Sequence, residues 1–220
     1  MGLSFVQIGG DNDMDLTKLT VVGYAESCAG EFDIQLLDDL GRTVKQYAWH
    51  DFDKKGKHYL GWCDVSDGHY VAEGEVLFAS GKGLWVKAYA EGLSLMCNGQ
   101  VLTASQSIKL QNNFTMVSNP YPVDVPLLNM WAEGYGESCA GEIDLQTLDE
   151  LGRTTNMYVW HDFSKKGKDY YGWYDANKGL YILPEDNVLL KAGGAYWVHC
   201  NMAEGRQFFL NFPAILQDVK

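Results

Sequence analysis

The segment Gly23–Asp64, GYAESCAGEFDIQLLDDLGRTVKQYAWHDFDKKGKHYLGWCD, returns at Gly134–Asp175 as GYGESCAGEIDLQTLDELGRTTNMYVWHDFSKKGKDYYGWYD. Roughly two thirds of the positions are identical, more than shared strand composition produces, so one structural unit is used twice. The match continues outward with small shifts. Phe5–Leu16 lies against Phe114–Val125, and the stretch ending at Val86 lies against the stretch ending at Val198. The boundary falls near Leu110–Asn113, which gives a first repeat over 1–110 and a second over 111–220. No Pro/Ser-rich linker marks that junction, so the two units are expected to pack against each other rather than swing freely.

The period inside each unit is that of strands. Phe32, Ile34 and Leu36 alternate with Asp33 and Gln35, Asp-Asp-Leu-Gly turns the chain, and Thr43–Phe52 runs back with Val44, Tyr47 and Trp49. Lys-Lys-Gly-Lys makes the next turn into Tyr59–Cys63, and Gly74 and Gly83 punctuate further short strands. The fold class expected is all-β, two tandem homologous β-sandwich or barrel-like units. At 46% hydrophobic residues the chain carries enough apolar surface to offset the entropy of ordering, so a packed core is expected rather than disorder.

The formal net charge of −12 repels phosphate backbones and anionic membrane surfaces, which sets nucleic acid aside as a partner. The Lys-Lys-Gly-Lys runs at Lys54–Lys57 and Lys165–Lys168 read as solvated hairpin tips. No apolar run reaches the roughly 20 residues needed to span a bilayer, so no membrane insertion is expected, and the first residues lack the basic and apolar regions of a signal peptide. Met1-Gly2 equally fits a start that replaced one. Gly2 does not open a myristoylation signal, because Val6 stands where Ser or Thr is required.

Trp-His-Asp-Phe, at Trp49–Phe52 and Trp160–Phe163, suggests an oriented general base, with Cys28 or Cys139 as the nucleophile of a hydrolase. Neighbours in a strand point to opposite faces, however, so His50 and Asp51 are poorly placed to bond each other. No nucleophile-elbow sequence accompanies them. The five cysteines, Cys28, Cys63, Cys97, Cys139 and Cys200, are odd in number and lack C-x-x-C spacing, which favours buried free thiols over a disulfide framework or a zinc knuckle. The chain is therefore expected not to be an enzyme. A Cys28–Cys139 bridge stays open at this level, since pairing depends on geometry.

Two binding patterns remain. Asp11, Asp13 and Asp15 alternate like the start of a calcium loop, but Leu16 and Val22 stand where that loop needs Gly and Glu, so calcium competes with a polar turn. Gly81 and Gly83 before Trp85 lack the Lys-Ser/Thr of a phosphate loop and read as a turn that lets Trp85 and Trp197 pack. Trp62 and Trp173 in Gly-Trp-x-Asp, with Asp64 and Asp175, and Tyr24 and Tyr135 in Gly-Tyr-x-Glu, place aromatics beside carboxylates at strand ends. Sugars bind by stacking on such rings while carboxylates accept their hydroxyls, and core packing is the competing use.

Asn119-Pro120-Tyr121-Pro122 followed by Val-Asp-Val resembles the Asn-Pro-Tyr-Pro segment of repeated β-sandwich modules in bacterial surface and secreted proteins. The first-copy counterpart, Gly9-Gly10-Asp11-Asn12, departs from it, and the resemblance implies surface display without assigning site residues. The expectation is a non-catalytic structural or interaction protein, a building block or decoration of a virion or cell-surface layer. Its partners would be other protein subunits, as a homo-oligomer or within a larger assembly. The alternative is a carbohydrate-binding adhesion module with paired aromatic sites.

Overall fold

Strict alternation over Thr43–Lys54 makes this strand the spine of its sheet. Tyr47 and Trp49 turn to one face and are buried, while His50 and Phe52 stay half-buried and Lys54 exposed. A computed structural model of the chain describes residues 13–78, 83–97, 104–149 and 151–214. Among them the protein is all-β: every element is a strand or a three-residue 3-10 turn, and all strand pairings are antiparallel.

The repeated block forms the same sheet segment twice. Cys28–Leu37 pairs with Thr43–Lys54, which pairs with Lys57–Asp64, and Trp85–Ala88 lies on the other side of Cys28–Leu37. In the second copy Cys139–Leu148, Thr154–Lys165 and Lys168–Asp175 repeat that order, with Ala195–Cys200 in the place of Trp85–Ala88. The sheet grows there to six strands by Asn113–Ser118 at one edge and Leu180–Tyr181 at the other. Even the irregularities match: a register shift falls between Ala29 and Asp33 and again between Ala140 and Asp144. Both Lys-Lys-Gly-Lys tips are two-residue turns with positive φ at each central residue, 52° and 73° at Lys55 and Gly56, 53° and 72° at Lys166 and Gly167. That is the backbone hand that matches strand twist in tight hairpins.

The strand orders end in free edges, so the barrel alternative does not hold. Smaller pairs face the large sheets. Met14–Asp15 pairs with Leu77–Phe78 and Leu19–Val22 with Ser94–Cys97; Val125–Pro126 pairs with Leu189–Leu190 and Trp131–Glu133 with Phe209–Phe212. Apolar side chains of large and small sheets meet in two clusters. Leu16, Leu19, Phe32, Ile34, Trp49 and Trp62 centre one; Leu127, Ile143, Leu145, Trp160, Trp173 and Leu210 centre the other. Gln106–Lys109 pairs with Phe209–Phe212, and Ile108 and Leu110 join the second cluster. The apolar Ile108 and Leu110, which the sequence assigns to the end of the first repeat, are buried with the second copy.

The Asn-Pro-Tyr-Pro segment is a buried clip. The Asn119 amide nitrogen donates to the carbonyls of Val123 and Leu190 at 2.8 and 2.9 Å, and its oxygen accepts from the Tyr121 N–H at 3.0 Å. The Tyr121 hydroxyl reaches the Ala104 carbonyl at 2.7 Å. Each bond satisfies a polar group that burial would otherwise leave at a cost of about 1–3 kcal/mol.

The two copies touch by an exchange of indole rings. Trp197 of the second copy lies against Gly41 in the hairpin turn of the first, and Trp85 of the first lies on Gly152 in the hairpin turn of the second. A small cluster of Met116, Ala195, Leu37, Trp85 and Trp197 fills the contact. The Gly83 N–H donates to the Met116 carbonyl at 2.9 Å, and the Asn113 amide donates to Asp39 at 3.1 Å. The fit is unequal. A Cβ at Gly41 would stand 3.7 Å from the Trp197 ring, an ordinary contact, whereas one at Gly152 would stand 2.1 Å from the Trp85 ring.

Gly41 and Gly152 share nearly the same backbone, φ 74° and 76°, so Ala costs about 1–2 kcal/mol of left-handed strain at either. Gly152→Ala is expected to destabilise by a further ~1–3 kcal/mol through overpacking against Trp85, and Gly41→Ala is not. Urea unfolding of the two variants, with midpoints compared at equal slope, checks the difference.

Candidate functional site

The side chains singled out as a sugar site do not converge on a surface. Trp62 and Trp173 are 2% and 1% exposed, and their indole N–H groups donate to the carbonyls of Leu19 and Met130 at 2.8 and 3.0 Å. Each indole meets a neighbouring one edge-on: Trp49 and Trp62 at 5.3 Å, Trp160 and Trp173 at 5.2 Å. No ring face is left for a ligand. Both indoles are packed in the core, because the residue after Gly61 or Gly172 sits on the inward pleat of its strand.

Tyr24 and Tyr135 donate to Asp51 and Asp162 at 2.6 Å. Burial and the facing carboxylate raise both phenols above their ordinary value, Tyr135 strongly. This bond spends the Asp of Trp-His-Asp-Phe on the inner face, so the sequence-adjacent His50 and Asp51 form no dyad. Cys28 and Cys139 face inward too, fully buried, donating to the Trp49 and Trp160 carbonyls at 3.8 and 3.5 Å. Burial raises the Cys28 thiol and pushes Cys139 up to about 11 and Cys200 up to about 12. All five cysteines are free, so the Cys28–Cys139 bridge is absent, Cys28 and Cys139 lying in different clusters.

Asp64 and Asp175 clip turns. Asp64 is 1% exposed and accepts from the Lys45 ammonium at 2.6 Å, from the Ser66 hydroxyl at 2.6 Å and from the Ser66 N–H at 2.8 Å. Asp175 accepts from the Asn177 and Lys178 N–H groups at 2.9 and 3.0 Å. Of the calcium candidates, Asp11 lies outside the described residues and Asp13 is exposed. Asp15 caps a 3-10 turn: one oxygen accepts from the Thr17 N–H and hydroxyl, both at 2.8 Å, and the other accepts from the Gly74 N–H. Short acidic side chains are drawn to that job wherever a turn leaves N–H groups unpaired. Asp64, Asp67 and His69 are the described residues whose ligand atoms could share a metal, but the Lys45 ammonium already neutralises Asp64.

The outward pleat of the same hairpins carries what sequence reasoning passed over. His50, Phe52, Tyr59 and Tyr70 form one aromatic face. The His50 Nδ1 lies 2.7 Å from the Tyr70 hydroxyl, Phe52 and Tyr59 stack at 5.2 Å with planes 18° apart, and the Lys57 ammonium caps Tyr59 at 4.9 Å. His161, Phe163, Tyr170 and Tyr181 repeat it: His161 Nδ1 to Tyr181 at 2.7 Å, Phe163 on Tyr170 at 4.9 Å and 15°, Lys168 over Tyr170 at 5.2 Å. The second face is wider, because Tyr174 stands where the first copy has Cys63 and stacks on His161 at 5.2 Å. His50 pairs across the ladder with Gly61, and His161 with Gly172, so no side chain opposes either imidazole and a tyrosine from the next segment can reach it. Burial pushes both imidazoles below their ordinary value, against the opposing pull of Glu31 and Glu142, and they are neutral at neutral pH. All nine of these aromatic and imidazole side chains are half-buried. The available signal was the period itself: His50, Phe52 and Tyr59 alternate with Trp49, Asp51 and Leu60.

Asp64 gives a pH-dependent stability with a definite sign. The ammonium and hydroxyl beside it hold its carboxyl far below the ordinary 3.8, so the unfolded chain takes up a proton first as pH falls. Its stabilisation is complete above the unfolded value and is lost as pH falls below it toward the folded value. Asp64→Asn is expected to cost on the order of 1–3 kcal/mol at pH 7, with the gap from the parent protein narrowing below about pH 4. Denaturant unfolding of both proteins from pH 7 to pH 3 measures it.

In comparison with known proteins, no family model, no curated protein and no solved structure matches the chain.

Proposed function

We propose that the chain is a non-catalytic structural and interaction protein, two tandem homologous β-sandwich units over 1–110 and 111–220, serving as a building block or decoration of a surface assembly. A virion or a cell-surface layer is the setting that fits, and the resemblance of Asn119–Pro122 to surface modules points the same way. One observation carries the reading: the duplicated hairpin presents an outward aromatic face in each copy, Phe52 on Tyr59 and Phe163 on Tyr170, held by a His–Tyr bond and rimmed by lysine.

Rigid aromatic side chains with a polar rim are the composition of protein–protein contact centres, where tyrosine and other aromatics carry most of the energy. Two such faces on one chain make each molecule bivalent, and bivalence is what a lattice or fibre needs. The non-catalytic half of the reading is supported by the chemistry of the nucleophile candidates. Cys28 and Cys139 are sealed in the cores with raised thiols, and the His50 and His161 imidazoles point to the opposite side of the sheet, toward tyrosines.

Sedimentation velocity over a wide concentration range tests the proposal. The parent protein is expected to associate as concentration rises. The combined variant Phe52→Ser, Tyr59→Ser, Phe163→Ser and Tyr170→Ser should stay monomeric with an unchanged circular-dichroism spectrum. A parent protein that is monomeric at every concentration, or a folded variant that associates as the parent does, would count against it.

A further inference from the structure

We infer that the junction between the two copies is a binding cleft for a neutral oligosaccharide, distinct from the hairpin faces and independent of the assembly role. The cleft encloses about 450 Å³, within the usual size of small-ligand sites. Its wall is built from equivalent residues of the two copies. Gln35 and Thr43 come from the first, Gln146 and Thr154 from the second, and Trp85 and Trp197 flank them. Each copy contributes one Gln, one Thr and one Trp, so the cleft meets a ligand with two similar sets of groups.

The chemistry of those six side chains selects the ligand class. In a chain of net charge −12, no charged side chain lines the cleft among the described residues. Among the described residues of the lining an ionic ligand therefore finds neither a counter-charge nor a coordinating carboxylate. The two indoles are half-buried and offer broad apolar faces of the kind on which the C–H face of a pyranose stacks. The polar groups are held in advance. The Thr43 hydroxyl donates to the Gln35 side-chain oxygen at 2.9 Å, and Thr154 does the same to Gln146 at 2.7 Å. Behind them the amide nitrogens of Gln35 and Gln146 donate to Asp33 and Asp144 at 2.9 and 2.8 Å. Each hydroxyl oxygen keeps lone pairs for a ligand hydroxyl, and each amide nitrogen keeps a second hydrogen. Fixed donors and acceptors between two aromatic walls suit an uncharged polyol, whose hydroxyls both give and take hydrogen bonds.

Tryptophan-fluorescence titration of the full chain supplies the test, with cellotetraose, maltotetraose and chitotetraose as neutral probes and tetragalacturonate as the charged comparator. At least one neutral probe should bind saturably and tetragalacturonate should not. Thr43→Val with Thr154→Val keeps the shape of both side chains and removes both hydroxyls, and it should weaken that probe by about tenfold or more. Phe52→Ser with Phe163→Ser, on the hairpin faces, should leave the affinity unchanged. Absence of saturable binding by all three neutral probes overturns the inference. So does a valine double variant that binds as the parent does, or loss of binding on changing the hairpin faces alone.

Discussion

The pleat of the strand Thr43–Lys54 and its copy Thr154–Lys165 governs most of what this molecule is. One face of that strand sends Tyr47, Trp49 and Asp51 inward, where the indole meets Trp62 edge-on and the carboxylate takes the Tyr24 hydroxyl. The other sends His50 and Phe52 outward to Tyr70 and Tyr59. A shift of one residue would exchange the two sets, burying an imidazole and exposing an indole, so core and surface chemistry are fixed by the same register. The matched register shifts at Ala29/Asp33 and Ala140/Asp144 show that both copies keep it in the same way. Divergence has collected elsewhere, as at Cys63 and Tyr174, which differ on the outer face while Trp62 and Trp173 keep one geometry.

How the copies meet is a different kind of constraint. Strand pairing within each sheet is dictated by a ladder of backbone groups, whereas the junction adds to a few backbone bonds two indoles, each laid against a glycine of the opposite hairpin turn. Those turns are themselves cross-tied: Asp38 and Asp149 accept the Arg42 and Arg153 N–H groups at 2.9 Å and pair with their guanidinium groups at 2.7 Å. Exposed ion pairs of this sort add little stability. Their use here is geometric, holding a flat glycine platform where the opposite ring lands.

The duplication, the hairpins and their tight tips were legible in the sequence, because repeat identity, two-residue alternation and Lys-Lys-Gly-Lys are local signals. The objection to a His50–Asp51 dyad was legible too, since it needs only the pleat. For Trp62 and Trp173 the sequence left a sugar-stacking rim beside core packing. Their Gly-Trp-x-Asp context fits both, and their bonds run to the carbonyls of Leu19 and Met130, distant in the chain. Asp15 illustrates the same limit: an alternating acidic run looks like a metal loop until Thr17 and Gly74 are seen to use its oxygens. The junction residues Trp85, Trp197, Gly41 and Gly152 could not be read as partners, because contact between copies leaves no periodic trace.

The exchange of indoles also bears on stoichiometry. In a true homodimer such a reciprocal contact would depend on concentration and dissolve on dilution; tethered in one chain it is present at every concentration. The complementary surface is also used up. Each indole has found its glycine inside the molecule, so a second chain cannot repeat the exchange. Covalent fusion thus converts what would be an interface between molecules into an internal seam, and leaves the ends and outer faces of the sheets to carry any contact with neighbours.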